Sequence, residues 1–163
     1  MSVSREIVAT YRGPGRVIRR LLSDGVHEGR ALAILMGACL IVFVAQWPRL
    51  SREAHLTGQE LNPLLGGALL GWVFIAPLFF YLLAFIIHLL SRAFGGSGTG
   101  YGARVALFWA FLASTPLVLL HGLVAGFVGP GPGLLAVGVL WCGVFLWFWI
   151  AGTREAEWGQ ETA

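Results

Sequence analysis

The chain has 163 residues and a formal net charge of +3, and 57% of its residues are hydrophobic while only 12% are charged. A soluble domain carries about 25% charged residues, so this chain has too little charge to cover a surface that faces water. The composition therefore argues against an ordinary soluble domain and indicates a membrane protein.

Residues 1–30 form a basic arm before the first long apolar segment. The arm lacks the apolar run of about 7–15 residues that a secretory signal needs, so we expect it to remain in the mature protein. In its stretch RVIRRLLS the apolar residues fall on one helical face, and Arg16, Arg19 and Arg20 fall on another. This pattern predicts an amphipathic helix in the membrane interface, with its arginines toward anionic lipid headgroups. The alternative is a short helix that packs against the bundle.

Four apolar segments follow, at residues 31–48, 64–91, 103–128 and 133–152. A helix needs about 20 apolar residues to cross the hydrocarbon core. The sequence therefore predicts an all-α bundle of about four transmembrane helices. The second segment is longer than required, and Pro77 in its middle predicts a kink. A fifth span stays open as an alternative, because this segment has room for a re-entrant turn at that proline.

Prolines also predict the local structure of the other segments. Pro116 predicts a kink in the third segment, where the hydroxyls of Ser114 and Thr115 are placed to satisfy carbonyls that the proline frees. Asn62-Pro63 predicts the start of the second span, with the asparagine as the capping side chain. Pro132 predicts the start of the fourth span in the same way.

The distribution of arginine predicts the topology. Nine of the 11 basic residues, all of them arginine, lie in the arm, around the connector after the second segment and in the C-terminal tail. The other two lie after the first segment. We therefore expect both termini and the connector in the cytoplasm, with the GPGPG turn at 129–133 on the opposite side.

The connector contains GGSGTGYGA at 95–103, which fits the loosened dinucleotide pattern G-x-G-x-x-G/A. A phosphate-binding loop of that kind follows a strand and opens a helix, whereas the end of an apolar helical segment precedes this one. The next acidic residue downstream is Glu155, which is too distant for the ribose contact. We interpret the stretch as a flexible connector and predict no nucleotide, no nucleic acid and no cofactor.

Polar residues within the apolar segments are the next candidates. His88 and His121 differ in predicted depth by about 20 Å, so one metal ion cannot bridge them, and no metal site is predicted. We expect His88 near Arg92 at the interface. Gln46 and His121 both lie near the outer ends of their spans and form a candidate intramembrane polar pair, with packing favoured over function. No catalytic residue is predicted.

Two G-x-x-x-G pairs predict close helix packing. They are Gly67 with Gly71 in the second segment and Gly122 with Gly126 in the third. Packing within the chain is the favoured interpretation, and homo-oligomerisation is the alternative.

The order of these features resembles the Ypt-interacting protein (Yip) family in its short bacterial branch. The similar elements are PGRVIRRLL at 14–22, the stretch LLSRAFGGSGTGYGARVALFWAFLASTP at 89–116, and the proline in ASTPLVLL. The resemblance implies a multispan membrane protein, and eukaryotic members of the family associate with Rab-type GTPases. Those members typically have five spans, compared with four predicted here, and this arm is short.

These observations predict an arm at 1–30, a Yip-like transmembrane domain at 31–152 and a short acidic cytoplasmic tail at 153–163. We expect a non-enzymatic scaffold, adaptor or accessory subunit of a bacterial inner membrane, with anionic lipids and a membrane protein or a second copy as partners. The predicted contact residues are Arg16, Arg19, Arg20, Arg92 and Arg104. The alternative function is a small transporter or channel component with a path lined by Gln46, Ser114, Thr115 and His121.

Overall fold

Eight α-helices and one π-helical turn make up the regular structure of residues 2–159, the part of the chain that this computed structural model describes. The helices are α1 (Val3–Thr10), α2 (Pro14–Ser23), α3 (Glu28–Thr57), α4 (Leu61–Leu69), α5 (Ala76–Ala93), α6 (Gly100–Ala113), α7 (Thr115–Phe127) and α8 (Pro132–Trp158), and the π turn is Leu70–Ile75. No strand occurs within residues 2–159, which confirms the all-α prediction.

Three helical stretches are long and apolar enough to cross a membrane: α3, the continuous run Leu61–Ala93, and α8. The pair α6 and α7 makes a fourth when it is taken as one span, bent by 42°. The prediction of a polytopic bundle with about four spans is therefore confirmed at the level of three to four helices.

The first span is longer than its apolar segment. Pro48 lies inside α3 and does not end it, and the helix continues to Thr57. Gly58 then adopts a left-handed conformation with φ of +68°, which is the usual glycine stop after a helix. The loop expected after Pro48 is therefore mostly helix, with only 58–60 between α3 and α4.

The second span continues through Pro77, the predicted kink point, as one helical run, Leu61–Ala93. The ring of a proline collides with the carbonyl four residues earlier, here that of Val73, and the π turn Leu70–Ile75 widens the backbone at that point. Helix α5 then continues, so no re-entrant turn forms. The predicted cap is also wrong, because Glu60 precedes the first helical residue and Asn62 lies inside the first turn, with no side-chain cap.

The third span breaks at Ser114, as the proline predicted. Thr115 Oγ1 donates to the Leu112 carbonyl at 2.7 Å, which is the carbonyl that Pro116 leaves without an N–H donor. Ser114 Oγ donates to the Phe111 carbonyl at 2.9 Å. The predicted role of both hydroxyls is confirmed.

Helix α6 forms the centre of the bundle. Every residue from Tyr101 to Ala113 is buried except Arg104, which is half-buried. A helix that is apolar on all sides needs neighbours on all sides, and α1, α2, α3, α5 and α8 surround this one.

The basic arm packs against this centre. Val17 and Ile18 of α2 are buried, and Ile18 lies against Gly152 of α8 and Ala106 of α6. The expectation that the apolar face of this helix enters lipid is therefore wrong for these two side chains, because that face covers the bundle. The alternative of a packed helix describes them better.

The two G-x-x-x-G pairs differ in their surroundings. A Cβ at Gly122 would collide with the Ala45 carbonyl oxygen, and one at Gly126 would lie 2.7 Å from the Pro48 carbonyl carbon. This pair therefore brings α7 against the backbone of α3, as predicted. A Cβ at Gly67 or at Gly71 would meet no described atom within 4 Å, so that pair is not used inside the chain.

The different surroundings of the two glycine pairs predict different effects of a glycine-to-alanine substitution in each. Gly122→Ala should lower the free energy of unfolding by about 1–3 kcal/mol, because the added methyl forces α7 away from α3. Gly67→Ala gains the same helix propensity without a collision and should leave stability unchanged or slightly raised. Unfolding by SDS titration in mixed micelles measures both, and equal midpoints for the two variants would contradict the close approach.

Candidate functional site

The glycine loop, residues 94–99, is docked on the C-terminal end of α8. The backbone N–H groups of Ser97 and Gly98 donate to the Glu157 carbonyl oxygen at 2.9 and 3.1 Å. A Cβ at Gly98 would collide with the Ala156 carbonyl oxygen and would lie 2.7 Å from the Glu157 Cα atom. The prediction of a flexible connector is therefore corrected: the glycines allow close backbone contact with α8.

A buried carboxylate lies beneath the glycine loop and contacts a histidine. The Glu157 side chain has no exposed surface, and its Oε1 lies 2.9 Å from Nδ1 of His88 on α5. Its Oε2 faces the loop, where a Cβ at Gly96 would lie 3.1 Å away. His88 lies one turn before Arg92 on α5, as expected, and its ring contacts Glu157, a partner that the sequence did not predict.

Glu157 was missed because residues 153–163 were interpreted as a solvated acidic tail. Residues 153–158 instead continue α8 into the packed region, and 160–163 lie outside the described residues. Gly152 and Ala156 are both buried, and a Cβ at Gly102 of α6 would lie 3.3 Å from the Ala156 Cβ atom. That small-xxx-small spacing was the signal in the sequence that the packing face extends past the last apolar residue.

Ion pairs tie the arm and the helix ends together at this end of the bundle, which we call the basic end. Arg19 of α2 donates two hydrogen bonds to Glu155 of α8, at 2.6 and 3.1 Å. Arg104 of α6 pairs with Glu28 at the start of α3. With Arg20, which pairs with Glu6 of α1, three of the predicted contact residues are therefore already engaged within the chain.

A basic cleft lies between α1 and α2. The cleft has a volume of about 320 Å³, and the four arginines that line it come from both helices and from the turn between them. They are Arg5, Arg12, Arg16 and Arg20. We call this feature the arginine cleft.

The arginine cleft has an excess of positive charge. Glu6 pairs with Arg20 at 2.9 Å, whereas Arg5, Arg12 and Arg16 have no carboxylate partner among residues 2–159. Arg16 folds back over Gly13 and donates to the Arg12 carbonyl at 3.3 Å. Three guanidinium groups are therefore available to an anion.

The turn between α1 and α2 lies alongside the bundle and not beneath it. The Tyr11 hydroxyl donates to the Ala113 carbonyl at 3.2 Å, and its ring meets Phe148 edge-on. Thr10 Oγ1 accepts from Trp109 Nε1 at 2.9 Å. Burial raises the pKa of Tyr11, so the hydroxyl stays a donor at neutral pH. Ala113 is nine residues past Arg104, or about 14 Å along the helix, so the turn sits beside the apolar part of α6.

The predicted contact residues do not form one surface. Arg16 and Arg20 line the arginine cleft, while Arg92 is exposed at the end of α5. Sequence reasoning missed Arg5 and Arg12, because α1 was not predicted as a helix. Once VSREIVAT is helical, the turn at Gly13 folds Arg5 toward α2.

The opposite end of the bundle holds a mostly apolar cavity of about 740 Å³, bordered by α3, α7 and α8. Gln46 and His121 both line it, but they are not hydrogen-bonded to each other. Gln46 Oε1 accepts from Arg49 Nε at 3.1 Å, and His121 has no hydrogen-bond partner among the described residues. Gln46 and His121 therefore line the same cavity without a hydrogen bond between them.

The predicted path does not continue inward from this cavity. Ser114 and Thr115 are buried, and their hydroxyls donate to backbone carbonyls. Ser114 Oγ also accepts from Trp141 Nε1 at 3.2 Å. The cavity therefore ends against the packed side of α6.

The described residues offer two kinds of binding surface, one at each end of the bundle. Within residues 2–159 no group of three or more histidine, cysteine or acidic side chains is placed to hold a metal ion. The basic end offers guanidinium groups to an anion, and the opposite end offers an apolar space with two polar side chains. Comparison with known proteins finds no matching family model, no matching curated protein and no matching solved structure.

The buried pair beneath the glycine loop predicts a local destabilisation. Glu157→Ala should cost about 3–5 kcal/mol, because it leaves His88 and the loop without the buried carboxylate. Hydrogen–deuterium exchange at residues 94–99 should rise with the loss of stability.

The matched control is Glu155→Ala, two residues earlier on the same helix. Its partner Arg19 is 68% exposed, so the loss of that pair should change exchange in the glycine loop much less. Equal exchange in the two variants would show that the Glu157 carboxylate does not hold the loop.

Proposed function

We propose that this protein is a non-enzymatic membrane scaffold or adaptor whose arginine cleft holds the headgroups of anionic phospholipids. The observation that carries the proposal is the convergence of four arginines on one cleft, three of which, Arg5, Arg12 and Arg16, have no carboxylate partner among residues 2–159. Planar guanidinium groups bind phosphate oxygens through paired hydrogen bonds. The resemblance of the sequence to the Yip family is compatible with this function, and membership in its short bacterial branch is part of the proposal.

The position of the cleft favours a lipid as the source of the anion. The cleft adjoins the turn at Tyr11, which contacts Ala113 and Phe148 beside the apolar part of the bundle. An arginine at that level needs a counter-charge or must extend to the interface. The phosphate of a neighbouring phospholipid supplies that negative counter-charge from within the membrane.

The proposed location is the bacterial inner membrane, with the basic end in the cytoplasm. The support is the excess of arginine at that end, which follows the positive-inside pattern. The scaffold's partner would be another membrane protein or a second copy, for which the unused Gly67 and Gly71 face is the candidate surface.

A transporter or channel component is the second candidate function, and the cavity beside Gln46 and His121 is the observation that favours it. The buried inner half of α6 weighs against it, because a path needs polar groups along its length. Solute flux in proteoliposomes that disappears in His121→Ala would support this candidate over the scaffold.

The lipid proposal predicts selective loss of affinity. The double variant Arg12→Gln/Arg16→Gln should bind phosphatidylglycerol about 2 kcal/mol more weakly, at about 1 kcal/mol per arginine, or roughly thirtyfold. Affinity for phosphatidylcholine should change much less. Native mass spectrometry of the full-length protein in mild detergent, with each lipid added in turn, measures both.

The control is Arg92→Gln/Arg154→Gln, which removes the same charge from exposed positions at the basic end outside the cleft. It should retain most of the phosphatidylglycerol affinity. If both double variants lose the same affinity, net charge and not the cleft binds the lipid, and the proposal fails.

The proposed topology predicts the side from which the glycine loop is reached. Ser97 is exposed, so a Ser97→Cys variant should react with a membrane-impermeant maleimide in inverted vesicles and not in right-side-out cells. Native Cys142 is replaced by alanine beforehand, because it is also exposed. Labelling from outside alone would reverse the orientation.

A further inference from the structure

The cavity opposite the basic end results from the break in the third span. Helix α6 stays at the centre of the bundle, while α7 bends by 42° at Ser114 and follows α3 through Gly122 and Gly126. Beyond the break α7 packs chiefly against α3, and a cavity remains between α7 and α8. The space of about 740 Å³ between these helices is within the range of small-molecule sites.

The cavity opens sideways. Leu135, Val139 and Cys142 of α8 line it and are exposed, so this wall leads to the lipid-facing side of the bundle. Trp72, Phe111 and Trp141 close it on the inner side. An occupant must therefore be apolar along most of its length and enter from the bilayer.

Two polar layers mark where the head of such an occupant would lie. Gln46 and His121 form the inner layer, and the Gln46 amide N–H groups have no partner among the described residues. Arg52 forms the outer layer; it lies beyond the residues that line the cavity, and its Nη1 donates to the Gly126 carbonyl at 3.2 Å. Its guanidinium lies beside Gly129 at the turn that ends the cavity.

The spacing of the two layers fits a phospholipid. Arg52 is six residues after Gln46 on α3, or about 9 Å along the helix. The polar region of one leaflet is about 5–8 Å thick, with the acyl ester at its inner side and the phosphate at its outer side. Arg52 has no carboxylate partner among residues 2–159, so it can pair with that phosphate.

We propose that this cavity is a binding site for one glycerophospholipid, separate from the arginine cleft. One acyl chain fills the apolar space between α7 and α8. An ester carbonyl accepts hydrogen bonds from Gln46 and His121, and the phosphate pairs with Arg52. The lipid's ester carbonyl and phosphate would accept hydrogen bonds from Gln46, His121 and Arg52. Hydrocarbon chains alone offer these donors no acceptor.

The test uses the full-length protein in nanodiscs with a phosphatidylglycerol that carries a diazirine on one acyl chain, close to the ester. After photolysis, peptide mass spectrometry maps the adducts. We expect adducts on residues 134–142 of α8 and on α7, and competition by unlabelled phosphatidylglycerol. The adducts should persist in Arg12→Gln/Arg16→Gln, which separates this site from the arginine cleft.

Filling the cavity should remove these adducts. A Cβ at Gly138 would lie 3.5 Å from His121 Nε2 inside the cavity, whereas one at Gly143 on the same helix meets nothing within 4 Å. Gly138→Leu should therefore reduce cavity adducts about tenfold, and Gly143→Leu should not. Cys142→Phe fills the same space from another position and replaces Gly138→Leu if that variant unfolds.

The proposed contact between Arg52 and the lipid phosphate is tested by comparing two photoreactive lipids. Arg52→Gln should lower labelling by the photoreactive phosphatidylglycerol but not by a diacylglycerol with the same chains, because only the former carries phosphate. Adducts spread over all exposed helix faces, or equal in Gly138→Leu and Gly143→Leu, would show ordinary annular lipid and overturn the site. Equal loss of both lipids in Arg52→Gln would overturn the phosphate contact.

Discussion

The need to pair every backbone N–H and C=O group inside the bilayer governs this structure. At Pro116 the Thr115 hydroxyl takes the Leu112 carbonyl that the proline leaves unpaired, so α6 can end and α7 can turn away. At Pro77 the same constraint leads to a π turn and a continuous helix. The first solution breaks and bends the third span, whereas the second leaves the second span helical without a break. The central position of α6 and the cavity between α7 and α8 both follow from that difference.

Contacts between polar side chains connect the helices at the basic end. The carboxylate of Glu157 is fully buried, so its pairing with His88 fixes α5 against α8, while its backbone carbonyl holds the glycine loop. Arg19 with Glu155 then attaches α2 to the same turn of α8. Breaking a buried pair costs far more than breaking an exposed one. The loop and α5 therefore depend on Glu157, whereas the arm depends more on its buried apolar contacts at Val17 and Ile18.

The apolar segments and prolines were sufficient to predict the all-α bundle, the break at Pro116 and the roles of Ser114 and Thr115, because these are properties of the local chain. They were not sufficient for Pro48, which packs against Gly126 inside a continuous helix, or for Pro77, where a π turn keeps the helix continuous. The candidate sites were harder still. Glu157 and His88 are 69 residues apart, and only the packing of Gly152 and Ala156 brings α8 down to α5. The arginine cleft needed α1, whose short helix has no strong pattern of its own and is held by Thr10 and Tyr11.

The two ends of the bundle differ in how tightly their helices are packed. The basic end is bound together by ion pairs, a docked loop and buried helix faces, so its arginine cleft is held in place by rigid neighbours. At the other end α7 contacts α3 closely and leaves α8 with much of its outer half exposed. Regions with few buried contacts open most readily, and a lateral opening between α7 and α8 is the route by which a lipid chain would enter. A phosphate at each end, one beside Arg12 and Arg16 and one beside Arg52, would fix the bundle in depth from both leaflets. That arrangement suits a scaffold, whose partners must meet its surfaces at a constant level in the membrane.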